Sequence, residues 1–136
     1  MKYLLGTNIC IVLIRQKSAA VLQRLVSQKP GDVGISSITL AELVYGVEKS
    51  VQVEQNRAAL QQFILPLEVA DFDQLAASAY GKIRVELERA GQVIDSMDML
   101  IAAHALSLDA ILVTNNVREF QRVDGLVLED WISESG

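Results

Sequence analysis

This chain of 136 residues has one cysteine, one histidine, two prolines and an aromatic content of only 5%. One cysteine makes no intramolecular disulfide, which excludes a stapled secreted scaffold and points to a reducing cytoplasm. With a single His and a single Cys there is no cluster to hold a structural zinc. No stretch approaches the ~20 apolar residues of a membrane span, so no membrane partner is expected. Basic residues are the minority, 12 Lys+Arg against 17 Asp+Glu, for a net charge of −5. That balance speaks against a nucleic-acid binder that relies on a broad basic surface.

Apolar residues are abundant, at 51%, which excludes disorder. The length suits one domain spanning 1–136. The first twenty residues loosely imitate a secretory leader, but Gly6-Thr7-Asn8 sets a polar, helix-capping triplet inside the apolar run, so they read as part of the fold.

Strand-like and helix-like patterns alternate. Lys2–Leu5, Val33–Ile35, Leu67–Val69, Ile111–Thr114 and Leu126–Leu128 read as strands. Helices are expected at Ile9–Arg15, capped by Thr7 or Asn8, at Ala19–Ser27, from Ser36 or Ser37 to Ser50, and at Val53–Ile64. Asp71-x-x-Gln74 has the shape of a capping box before a long helix ending near Ala90-Gly91. Asp95-Ser96-Met97-Asp98 opens an apolar helix to Leu108. Strands separated by helices predict an α/β fold in three layers, α/β/α, with a central, mostly parallel sheet flanked by helices. Working groups in such sheets lie beyond the carboxyl ends of the strands. This puts Gly6-Thr7-Asn8, Ser36–Glu42 and Thr114-Asn115-Asn116 on one edge, where Asp95–Asp98 can join them.

Glu42 interrupts an apolar run, and an acid there needs a reason. Thr39-x-x-Glu42 supplies a structural one as a capping box. Asp95 is a natural N-cap, and Asp98 favours the positive end of the same helix. The alternative is that these acids gather at the edge and hold a hard cation such as Mg²⁺. Spacing alone leaves both readings open. Cys10 and His104 lie among apolar neighbours with no third group to orient them, and read as a buried thiol and a core or interface histidine. Lys82, Arg84, Glu86 and Glu88 read as a solvated helix face.

Four segments, in order, resemble the PIN-domain family, VapC-type toxin branch. They are Met1–Cys10, Ile35–Gly46 with its Ser36-Ser37-Ile38-Thr39-Leu40-Ala41-Glu42-Leu43 core, Asp98–Ala105, and Leu112–Phe120 with Glu129-Asp130-Trp131. The resemblance covers essentially the whole chain. It implies a Mg²⁺-dependent (or Mn²⁺-dependent) endoribonuclease toxin, usually a homodimer, acting on RNA that is often transfer RNA. It also implies a VapB-type antitoxin whose C-terminal segment blocks the site.

Carried over by residue, Glu42 and Asp98 fall on two of the family's metal-site acids, and Asn116 falls near a fourth. Glu119, one turn beyond Asn116, is a substitute acid, and Asp95 and Thr7 are secondary candidates. The third family acid belongs where this chain has Gly6. Its absence removes one charge and one ligand, so metal affinity and water activation should fall while the fold survives. Two explanations compete, a natural degenerate copy and an inactivating change that allowed a toxic protein to be produced, and the otherwise near-complete motif set favours the second. The alternative function is a non-catalytic PIN-fold interaction module. In the catalytic reading, Arg15, Lys17, Lys82, Arg84 and Arg118 guide RNA locally despite the acidic total.

Overall fold

Buried strands feeding helices dictate a layered sheet. The computed structural model describes residues 1–132. Residues 133–136, the end of the expected 1–136 domain, lie outside the described residues. The strands are β1 (Tyr3–Leu5), β2 (Val33–Ser36), β3 (Glu68–Ala70), β4 (Ile111–Val113) and β5 (Leu128–Glu129). They form one sheet in the order β3-β2-β1-β4-β5, and every pairing is parallel. Central β1 is flanked on both sides, with Tyr3 opposite Val33 and Ile111.

The helices are α1 (Thr7–Ile14), α2 (Ala19–Val26), α3 (Ser37–Glu48), α4 (Val53–Ile64), α5 (Gln74–Arg89), α6 (Ser96–Leu108) and the single turn α7 (Val117–Phe120). Side chains alternate along β1 and so divide the core in two. Tyr3 and Leu5 pack with Ile9 and Leu13 of α1, Leu43 of α3, Leu60 of α4 and Trp131. Leu4 packs on the other face with Ile83 and Leu87 of α5, Met99 and Ile101 of α6, and Phe120. The expected three-layer α/β/α architecture is thus present, and its sheet is wholly parallel.

Several boundaries shift for identifiable reasons. β3 and β5 begin one and two residues later than expected, because as edge strands their register is set by their partners, Gly34 opposite Glu68 and Leu112 opposite Leu128. α1 is capped by the backbone of Gly6 rather than by Thr7 or Asn8, and no side chain caps it. The cap of α5 is Asp73, which accepts from Ala76 N–H at 3.0 Å, not Asp71. Asp71 and Phe72 are committed elsewhere: Phe72 N–H donates to Ser37 Oγ, and the backbone of Asp71 bonds His104.

Candidate active site at the carboxyl edge of the sheet

The carboxyl ends of β1, β2 and β4 deliver three junctions to one edge. Gly6 follows β1, and its N–H donates to Val113 O at the end of β4 at 2.8 Å. Its backbone is extended, with φ −71° and ψ 163°, a conformation any L-residue adopts. A Cβ built there would meet Val113 O at 3.1 Å, a tight fit needing a few tenths of an ångström of give. The turn itself therefore does not require glycine.

Ser36, the last residue of β2, caps α3 by accepting from Ile38 N–H at 3.0 Å. Helix therefore starts at Ser37, and Thr39 is buried inside it rather than standing at its cap. This overturns the capping-box reading of Thr39-x-x-Glu42. The Glu42 carboxylate instead accepts from Thr7 Oγ1 at 2.7 Å. Thr7 Oγ1 also lies 3.2 Å from Thr39 Oγ1. Since Thr7 has one hydroxyl proton and gives it to Glu42, Thr39 is the donor in the second bond. A buried threonine thus orients Thr7, which orients Glu42. Sequence reasoning missed Thr39 as part of this chain, having assigned its side chain to a cap.

Asp95 does cap α6, accepting from Met97 N–H at 3.1 Å. Asp98 lies in the first turn and is half-buried. Burial pushes its carboxyl up to about 6, and the negative charges of Asp95, Glu119 and Glu42 push the same way. Acids from α3, α6 and α7 therefore all act on Asp98 at this edge. Asn116 precedes α7; its N–H donates to Thr114 Oγ1 at 3.0 Å and its side chain caps nothing.

A groove of about 660 Å³ opens beside Glu42, lined by α1, α3 and α4. Thr7 and Glu42 line it together with Arg15 and Lys49. Lys49 was not among the expected guides, although its spacing was available: seven residues, two helical turns, beyond Glu42 puts it on the same face of α3. Of the other expected guides, Arg84 is engaged on α5 with Tyr80 and Glu88. Cys10 is fully buried, and burial pushes its thiol well up, so it is no nucleophile.

Among the described residues no three His, Cys, Asp or Glu side chains gather closely enough to hold a metal ion. The donors present still fit a hard dication in kind. Glu42 and Asp98 offer carboxylate oxygens, and Mg²⁺ is commonly held by one or two carboxylates with waters completing the shell.

The PIN domain model matches residues 3–126. The chain belongs to the PIN-domain family, in its VapC-type branch. It is 47% identical over 131 residues to the tRNA(fMet)-specific endonuclease VapC of Shigella flexneri, covering 96% of this chain and 98% of that protein. It is 45% identical over 132 residues to ribonuclease VapC2 of Rickettsia felis, again over 96% and 98%. Among solved structures, DNA-bound VapBC from Salmonella typhimurium superposes with a TM-score of 0.92 at 45% identity, over 96% of this chain and 98% of that one. This VapC-type PIN domain thus shares its whole described fold with proteins solved as toxin–antitoxin complexes. Among its described residues no helix is long and apolar enough to cross a membrane.

Proposed function

We propose that this VapC-type PIN domain is a cytoplasmic, Mg²⁺-dependent (or Mn²⁺-dependent) endoribonuclease toxin, neutralised by a VapB-type antitoxin and weakened in this form by Gly6. The observation that carries the reading is Asp98 at the carboxyl edge, raised to about 6 first by burial and then by the negative charges of Asp95, Glu119 and Glu42. Such mutual repulsion has a use when a cation joins the site. The 47% identity to a tRNA(fMet)-specific endonuclease supports transfer RNA as the substrate.

Glu42 and Asp98 would hold the metal, with Asn116 fixing a water and Glu119 as a substitute acid. When bound, the cation neutralises phosphate charge and lowers the pKa of water. The chain's own residues do the rest. Thr39 and Thr7 fix the carboxylate of Glu42, and Arg15 and Lys49 supply positive charge to the groove beside it. The apolar part of that groove, with Ile11, Ile14, Val47 and Leu60, suits an antitoxin segment lying over the site. A homodimer follows the habit of the family.

The deciding experiment is Gly6→Asp with an assay of Mg²⁺-dependent cleavage of transfer RNA and of growth on induction. Cleavage and growth arrest in the variant support the reading; a variant that neither cuts RNA nor arrests growth overturns it. A second reading, a non-catalytic interaction module, is favoured by one observation: no three ligating side chains gather among the described residues. It predicts that Gly6→Asp still binds its protein partner and binds no metal.

A further inference from the structure

One buried ionisable group has no part in the site described above. His104 lies in the middle of α6, 1% exposed, and Ser36 beside it is fully buried. Its Nδ1 is 2.7 Å from Ser36 Oγ, the hydroxyl that also caps α3. The backbone carbonyl of Asp71, in the connection between β3 and α5, faces the ring as a second hydrogen-bond partner. A ring nitrogen meeting a backbone carbonyl must donate, so Nδ1 accepts and the Ser36 hydroxyl donates to it. Phe72 stands edge-on to the ring, centroids 5.4 Å apart at 77°, and its N–H donates to Ser37 Oγ at 3.0 Å. Among the described residues no buried side-chain polar atom is left without a partner. The neutral imidazole therefore completes a closed network joining three elements.

We infer that His104 is a positioning residue for the Glu42–Asp98 pair, clamping the start of α3 to α6 so that the two carboxylates keep their separation. Glu42 lies six residues along α3 from Ser36, and Asp98 lies six residues before His104 on α6. At 1.5 Å per residue each acid is about 9 Å from the tie. A tilt of about 6° between the helices would displace one carboxylate from the other by about 1 Å, enough to spoil a shared ligand. The inference rests on the metal-site reading above, but the tie itself can be tested without metal.

Spin labels at Val44→Cys on α3 and Ser96→Cys at the start of α6 report the spacing of the two helices, while Cys10 is buried and stays unlabelled. The full chain is compared with His104→Phe and His104→Gln. Phenylalanine keeps the volume and the contact with Phe72 but neither hydrogen bond; glutamine can both accept from Ser36 and donate to Asp71. The expected result is one narrow distance in the parent and in His104→Gln, and a displaced or broadened one in His104→Phe. Mn²⁺ affinity should follow, falling about tenfold in His104→Phe and staying within about threefold in His104→Gln. If His104→Phe does not fold, Ser36→Ala removes the ring's partner and gives the same comparison.

The proposal is overturned if His104→Phe keeps the parent distance, or if Mn²⁺ affinity falls only in proportion to lost thermal stability in both variants. If no variant, parent included, binds Mn²⁺ while the distances still separate Phe from Gln, the clamp stands and the metal reading falls.

Discussion

Two ionisable side chains on α6, six residues apart, are treated in opposite ways. Asp98, in the first turn, has its carboxyl raised to about 6 by partial burial, with the negative charges of three nearby acids adding to it. His104, two turns on, is more deeply buried, yet both ring nitrogens are bonded and burial lowers its pKa. The first group is left in conflict with its surroundings; the second has none. Buried polar groups that serve the fold are satisfied, whereas a site keeps its groups unsatisfied until a ligand arrives. The first turn of α6 therefore reads as a site, and its middle as scaffold supporting that site.

Four substitutions test this difference between the first turn of α6 and its middle. The largest effect is expected from Gly6→Asp, which adds a carboxylate to the edge: on the proposed function, metal-dependent RNA cleavage should rise by about a hundredfold or more, measured by single-turnover cleavage of transfer RNA. Next is His104→Ala. It opens a cavity and strands the Ser36 hydroxyl and the Asp71 carbonyl, so denaturant unfolding should show a loss of about 2–4 kcal/mol. Asp98→Asn should do the reverse in the absence of metal. A carboxyl raised from 3.8 to about 6 binds its proton more tightly when folded, so its deprotonation costs stability as pH rises through that interval. The variant should thus be more stable than the parent at pH 8, by less than about 1 kcal/mol because the group is partly solvated, and equal to it below pH 4. Thermal melts at the two pH values would show it. Least is expected of Arg84→Ala on α5, whose pairing with Glu88 is solvent-exposed, so the thermal midpoint should not move measurably.

Much of this was legible in the chain. The alternation of strands and helices predicted the parallel sheet, Val53–Ile64 matched α4 at both ends, and Asp95 was read correctly as the cap of α6. Glu42 shows where local reasoning fails. Three residues after a threonine it imitates a capping box, and only the contact with Thr7, 35 residues away, reveals that its carboxylate faces the site. Asp71 misled for a related reason: its backbone was already bound to His104 across the fold. The net charge of −5 describes a whole surface and could not show that Arg15 and Lys49 line one groove.

Periodicity and chain direction were enough to set the layers and the edge on which a site must lie. Tertiary structure decided which acids confront one another, how Glu42 is held, and that His104 joins α3 to α6. Those depend on contacts between residues tens of positions apart, and the free energy of such contacts exists only once the intervening chain has folded.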